Sequence, residues 1–346
     1  MLKYTNIANN PRCYLTIEQG CILKEFTLYQ IPGLDEVLRA QKRIAPYITR
    51  TPLHHYTALD ELLGTEVYVK HENHQSLGAF KLRGALNTVS QLTNEEKSNG
   101  IISSSTGNFG QGVAYAGGIF GVKVIVVVPK GTNPDKAASM KRLGADLIFY
   151  GDEFDEARNH AEILAKEHGY FYVHSANDPR LTAGTGTYTL EILEDQPEID
   201  VIIVPLGGGS GACGVCVVAK AVNPNIQVIA VQAEKAQGAY LSWKTGELVK
   251  APMETIAEGL ATAMGYEYTQ KILRDLLDDF VLISEKEILE SIVLYLEKTH
   301  NLIEHAGASS LGAAVKIKDK LKGKKVALIA SGGNLSLDQL KFALSI

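Results

Sequence analysis

Two stretches of this sequence place reactive or ligand-binding groups where backbone geometry can aim them. The first is Ser76-Leu77-Gly78-Ala79-Phe80-Lys81-Leu82-Arg83-Gly84-Ala85, in which Lys81 stands between two apolar residues at the start of a helical pattern. A helix N-terminus carries partial positive charge, and apolar surroundings disfavour an ammonium ion. Both effects favour the neutral amine that forms a Schiff base. Judged alone, Lys81 reads first as a solvated lysine on an amphipathic helix, as most lysines are. The second stretch is Pro205-Leu206-Gly207-Gly208-Gly209-Ser210-Gly211-Ala212, with four glycines in five residues between a buried strand pattern and a helix pattern. Such a turn lets bare N–H groups approach a phosphate while the helix dipole favours the anion. The alternative there is a sterically tight turn.

The same glycines admit a rival. Gly209-Ser210-Gly211-Ala212-Cys213-Gly214 satisfies G-x-G-x-x-G, and Glu234 ends the following strand pattern, where a dinucleotide-binding fold places its ribose-binding acid. An NAD-dependent dehydrogenase is therefore an alternative from a different class. A Walker A loop is excluded, because no Lys-Ser/Thr follows the glycines.

Two further turns follow strand patterns. Ser103-Ser104-Ser105-Thr106-Gly107-Asn108-Phe109-Gly110-Gln111-Gly112 gathers hydroxyls, an amide and the N–H groups of a new helix, a set suited to a carboxylate or to capping the helix itself. Ala330-Ser331-Gly332-Gly333-Asn334 ends a buried strand in a hydroxyl and two glycines, and ligands of open α/β sheets bind beyond such strand ends. Cys213-x-x-Cys216 lacks a second cysteine pair or a histidine cluster and reads as core. His71-Glu72-Asn73-His74 is not H-E-x-x-H, since its histidines are three apart.

The elements that must position these turns alternate between β-branched runs and helical patterns, as in parallel sheets with crossover helices. Strands are predicted at 101–105, 122–129, 146–150 and from 172 to 175, with helices at 108–121, 133–143 and 154–169 between them. A second set comprises strands at 66–70, 200–206, 227–233 and 325–331, with a helix over 81–92. The fold class is α/β, with two open, twisted, mainly parallel sheets flanked by helices, the smaller domain inserted in the larger. The expected division is an N-terminal extension at 1–30, a large domain at 31–98 and 178–346, and a small substrate-side domain at 99–177.

A chain of 346 residues suits about two such units. With 45% hydrophobic and 21% charged residues, it is neither collagen, coiled coil nor extended disorder. A net charge of −5 gives no footprint for nucleic acid or an anionic membrane. No apolar stretch approaches the roughly 20 residues of a membrane span, and the N-terminus lacks the apolar core of a signal peptide. Four cysteines make no disulfide framework and fit a reducing cytoplasm.

Taken together, the segments from about Pro32 onward resemble the fold-type II pyridoxal-phosphate enzymes (tryptophan synthase β-like), in particular the threonine/serine dehydratase and serine racemase branch. The landmarks occur in the family's order: 76–85, Gly107-Asn108, Asn177-Asp178-Pro179, the 207–211 loop and Ser331-Gly332-Gly333-Asn334, with 255–262 and 307–311 as further family-like segments. Lys81-Leu82-Arg83 has the dehydratase/racemase form rather than the Lys-Asp-Arg of the sister branches.

The resemblance implies pyridoxal 5'-phosphate as cofactor, an amino acid as small-molecule substrate, and a homodimer. Lys81 would form the Schiff base and move the α-proton. Phe80 would pack beside the cofactor, Asn108 would bond the ring's 3-oxygen, and Gly207, Gly208, Gly209, Ser210 and Gly211 would hold the phosphate. Ser331 would contact the pyridine nitrogen; Ser105, Thr106, Asn108 and Phe109 would surround the substrate carboxylate. A hydroxyl partner does not strongly favour a protonated pyridine, so the ring is a weaker electron sink and concerted loss of a β-substituent becomes the easier route. The expected reaction is β-elimination of water from L-threonine, L-serine or a similar β-hydroxy amino acid, giving a 2-oxo acid and ammonia. Amino-acid racemisation is the alternative on the same fold. Three positions depart from the family pattern. Phe109 replaces a histidine, and Thr106 stands where racemases carry a serine acting as second-face acid/base. The divalent-cation pattern is matched at Glu234 and Gly238 but broken by Tyr240.

Overall fold

The computed structural model describes residues 30–346, so residues 1–29 of the expected extension lie outside it. Among the described residues ten strands form: β1 (Leu53–His55), β2 (Glu66–Lys70), β3 (Ile101–Ser104), β4 (Val124–Val128), β5 (Asp146–Phe149), β6 (Phe171–Tyr172), β7 (Val201–Pro205), β8 (Gln227–Ala233), β9 (Asp279–Ile283) and β10 (Lys325–Ile329). The larger sheet has the order β1-β2-β10-β7-β8-β9 and the smaller β5-β4-β3-β6. All pairings are parallel except β1 with β2. The smaller sheet falls wholly between β2 and β7 of the larger, which makes it an insertion. Among the described residues no helix is long and apolar enough to cross a membrane.

Composition explains the layering. Every residue of β4 and β7 is buried, as expected of β-branched runs in sheets covered on both faces. Three helices then meet at small residues. A Cβ on Gly184 would lie 2.6 Å from the Arg83 carbonyl oxygen, and one on Gly214 would lie 2.6 Å from the Gly186 nitrogen. The Pro179–Asp195 helix therefore approaches the Lys81–Ser90 and Ser210–Val222 helices more closely than any side chain would permit. The Asn177-Asp178-Pro179 segment starts that helix: Pro179 occupies its first turn, and the Asp178 carboxylate accepts from the Arg180 N–H at 2.8 Å.

Beneath the Lys81 helix lies a buried ionic network. Arg83 bonds both oxygens of Glu72 at 2.8 Å and those of Glu191 at 2.7 and 2.9 Å. Lys70 donates to Glu191 at 2.6 Å and to the Thr51 carbonyl at 2.7 Å. Two cations and two anions are thus neutralised and hydrogen-bonded together, the condition under which buried charge is tolerated.

The differences from the sequence reading are local. β6 has two residues rather than four, because beyond Val173 the His174 ring accepts the Ala176 and Asn177 N–H groups and turns the chain away. β1 and β9 were not expected. β1 is three residues long and carries two exposed histidines, which hide its strand character.

Candidate active site

Lys81 opens its helix, and the turn before it is stitched to the turn after β10. Phe80 donates its N–H to the Ser331 carbonyl at 3.1 Å, Gly333 donates to the Gly78 carbonyl at 2.9 Å, and Ala79 forms an antiparallel bridge with Gly332. Two segments about 250 residues apart in sequence are thereby held as one strip. The Lys81 Nζ lies 5.8 Å from the centre of the Phe80 ring and 5.9 Å from that of Phe109. Burial pushes the amine below the usual lysine range, against the opposing charge of Glu304.

The glycine loop after β7 is shaped by contacts that only glycine allows. Gly209 has φ of 96°, and a Cβ on Gly207 would lie 2.2 Å from the Gly259 carbonyl oxygen. One on Gly211 would lie 2.9 Å from the Phe80 ring. Phe80 also packs edge-on against Tyr188, whose hydroxyl donates to the Gly211 carbonyl at 3.2 Å. Thr269 donates to the Gly208 carbonyl at 3.1 Å. The loop delivers the first N–H groups of the 13-residue Ser210–Val222 helix, which have no partner within the helix, to one cleft. Phe80, Lys81, Asn108, Ser331 and all five residues from 207 to 211 line it.

A cavity of about 240 Å³ adjoins this cleft, smaller than the roughly 300–1,000 Å³ of drug-sized sites, and so suits a small ligand. Lys81, Ser105, Thr106, Asn108 and Phe109 line it. Ser105 accepts the Gly107 N–H at 3.3 Å, which fixes the turn ahead of the Asn108–Phe120 helix. The predicted cofactor and substrate residues thus come together, and Lys81 and Asn108 face both spaces.

Sequence reading missed several lining residues. Glu304 accepts from the Asn108 amide at 2.8 Å and lines both cavity and cleft. Burial pushes its carboxyl above the usual range, against the pull of Lys136, Asn108 and Lys81. Lys136 and Glu258 form an ion pair at the cavity wall. Gly259 and Glu258 fall in the family-like 255–262 segment, which could have pointed to them. Glu304 precedes a helix in a stretch with no distinctive pattern.

The residues predicted to hold a metal each meet other groups of the protein. Glu234 pairs with the Lys316 ammonium at 3.3 Å, which also bonds Glu287 at 3.2 Å and the Leu282 carbonyl at 2.9 Å. Gly238 packs against the backbone of Ala263, and the Tyr240 N–H donates to Gln232. Among the described residues no group of three or more His, Cys, Asp or Glu side chains could hold a metal ion. Cys213 and Cys216 are buried free thiols, and His71 bonds Tyr56 at 2.9 Å and Asn73 at 3.1 Å.

A buried amine at a helix start, a glycine loop ahead of a helix N-terminus and a hydroxyl at the end of β10, all facing one cleft of an α/β fold, define a fold-type II pyridoxal-phosphate enzyme. The chain belongs to the family described as pyridoxal-phosphate dependent enzymes, whose model matches residues 44–332. It is 38% identical over 308 residues to an L-threonine ammonia-lyase of Thermotoga maritima, covering 89% of this chain and 77% of that protein. It is 34% identical over 313 residues to a serine racemase of Oryza sativa subsp. indica, covering 89% and 92%. The structure of maize serine racemase matches with a TM-score of 0.86 at 32% identity, covering 91% of this chain and 98% of that one. Membership of this family overturns the alternative of an NAD-dependent dehydrogenase.

Proposed function

We propose that this chain is a pyridoxal-phosphate-dependent ammonia-lyase that removes water from a β-hydroxy amino acid of the L-threonine or L-serine kind. The carrying observation is the shared wall: Lys81 and Asn108 line both the glycine-loop cleft and the small polar cavity. When bound, pyridoxal phosphate supplies an aldehyde for an amine and a ring that withdraws electrons from the amino-acid α-carbon. The loop at 207–211 and its helix N-terminus bind the phosphate. Phe80 packs the cofactor against that loop, and Ser331 offers the ring nitrogen a hydroxyl. The start of the Asn108–Phe120 helix, with Ser105 and Thr106, receives the substrate carboxylate in the cavity. Lys81 takes the α-proton and returns it to the departing β-hydroxyl, which leaves as water. The released enamine becomes an imine, and one water hydrolyses it to the 2-oxo acid and ammonia. Residues 99–177 form the substrate-side domain in this reading.

Racemisation is the second reading, carried by the Thr106 hydroxyl in the same cavity, which could exchange a proton on the opposite face. We also place the enzyme in the cytoplasm as a homodimer, which fractionation and light scattering would test. The central experiment screens serine, threonine, 3-hydroxyaspartate and phenylserine for 2-oxo acid formation, with chiral analysis of the remaining substrate. The purified protein should be yellow, and Lys81→Ala should lose both colour and turnover. A colourless wild type with no ammonia release would overturn the proposal.

A further inference from the structure

The residues that line the cavity fall into two chemical groups. Lys81 and the turn after β3 supply the amine, hydroxyls, amide and N–H groups that the proposed reaction assigns to the amino-acid head. Phe154, Met253 and Tyr266 line the same cavity, and that reaction gives them no role. They come from three separate elements: the start of the Phe154–His168 helix, the stretch ahead of the 255–262 segment, and the residue before the Glu267–Leu276 helix.

Each is held from its own side. The Tyr266 ring stands edge-on to the His174 ring, with centres 5.2 Å apart and planes at 89°. A Cβ on Gly208 would lie 3.5 Å from the same ring, so Tyr266 is wedged between the 174–175 turn and the glycine loop. Its carbonyl accepts the Gln270 N–H at 2.8 Å and the Thr269 hydroxyl at 3.2 Å. Phe154 follows Glu153, which exchanges capping bonds with Glu156. The backbone around Met253 is pinned twice, Ala251 donating to the Ala263 carbonyl at 2.8 Å and Glu254 to the Lys235 carbonyl at 2.9 Å. The Met253 side chain itself is 40% exposed and so has apolar area left to cover.

The charged groups of the lining are already committed to one another. Lys136 donates to Glu258, and Glu304 accepts from Asn108 at 2.8 Å. A substrate β-carboxylate would have to part the first pair and would meet two carboxyl groups. An apolar substituent displaces only water from two rings and a thioether. The cavity volume of about 240 Å³, the liquid share of roughly eight waters at about 30 Å³ each, leaves room beyond the side chain of serine.

We propose that Phe154, Met253 and Tyr266 are specificity-determining residues, and that the preferred substrate is a β-hydroxy amino acid whose β-substituent is apolar and larger than the methyl group of threonine. With the carboxylate at the start of the Asn108–Phe120 helix and the α-carbon at Lys81, these three side chains are the apolar surface left to receive that substituent. The proposal rests on the ammonia-lyase reading and names its substrate class.

The test measures kcat/KM for 2-oxo acid formation by the cofactor-loaded enzyme with serine, threonine, 3-hydroxyaspartate, 3-hydroxyleucine and phenylserine. One methylene in an apolar pocket is worth roughly 10–200-fold. The value for 3-hydroxyleucine or phenylserine should therefore exceed that for serine at least about ten-fold, with 3-hydroxyaspartate below serine. Tyr266→Ala should lower the ratio of phenylserine to serine by about ten-fold or more, mainly through KM, and Tyr266→Phe should retain it. Both substrates are read on one preparation, so a smaller folded fraction cancels from the ratio. Met253→Gln alters an exposed side chain; it should lower the ratio in the same direction and is read in place of Tyr266→Ala if that variant fails to fold. A wild type that favours serine or 3-hydroxyaspartate, or a ratio unmoved in both variants, would overturn this proposal alone, because turnover of any of these substrates leaves the ammonia-lyase reading standing. No 2-oxo acid from any substrate of the set would overturn that reading and this proposal with it.

Discussion

Gly211 shows how much of the site depends on a missing side chain. It lies in the first turn of the Ser210–Val222 helix, under the ring of Phe80, the residue before Lys81. A methyl group there would approach that ring to 2.9 Å and the Tyr188 hydroxyl to 3.4 Å. Neither is the free end of a flexible side chain, so the ring must move and carry the Lys81 turn with it. Gly211→Ala should weaken cofactor affinity at least ten-fold in an absorbance titration while leaving the fold intact. Gly118 is the counter-case. It lies within the Asn108–Phe120 helix, and the nearest atom to an added Cβ is the Leu143 carbonyl oxygen at 3.7 Å. Gly118→Ala should stabilise the protein by about 0.5–1 kcal/mol in urea unfolding, through the entropy of the unfolded chain. Unaltered cofactor binding in the first variant would show that Phe80 does not shape the loop.

The Lys81–Ser90 helix has its own anchor in Arg83, two residues beyond the amine. The guanidinium is fully buried and holds two carboxylates in fork geometry. Burial works to raise the Glu191 carboxyl, but Arg83 and Lys70 outweigh it and hold it below the usual range. Removing one partner strands the others in a dry interior, so Arg83→Ala should cost about 3–5 kcal/mol in chemical denaturation. A cost near zero would mean that water enters and solvates Glu72 and Glu191. Sequence patterns foretold this helix but not its network. Lys70, Glu72, Arg83 and Glu191 read as ordinary polar positions, and only their convergence from a strand, a turn and two helices makes them interior. β4 and β7 were legible because an unbroken β-branched run has few alternatives. The same holds for the lysine, serine-rich and glycine turns, where residue type and local context coincide. Glu304 was illegible for the reason Glu191 was: its meaning comes from residues about 200 positions away, such as Asn108.

At the scale of the whole molecule, the pH dependence of stability should reflect a histidine beside the cavity. The His174 Nδ1 accepts two backbone N–H groups, from Ala176 and Asn177, each at 2.9 Å. A protonated ring could accept neither, and burial together with Arg158 lowers its pKa to about 4, against Asp178. In the unfolded chain it titrates near 6.5. The unfolded state therefore binds more protons between those values, and stability must fall as pH drops from about 6.5 towards about 4, by roughly 1 kcal/mol per unit at the steepest. His71, lowered to about 3 by burial, the neighbouring His74, His54 and Lys70, against the bond to Asn73, adds a loss of the same sign. His174→Asn offers an amide oxygen that can accept the same N–H groups and does not titrate. Urea unfolding at a series of pH values should show the wild type losing stability faster than this variant between about pH 6.5 and 4, with parallel behaviour above pH 7. Equal slopes would mean that the 174–177 turn tolerates a charged ring. The cavity wall formed by the neighbouring Ser175 would then not depend on His174 remaining neutral.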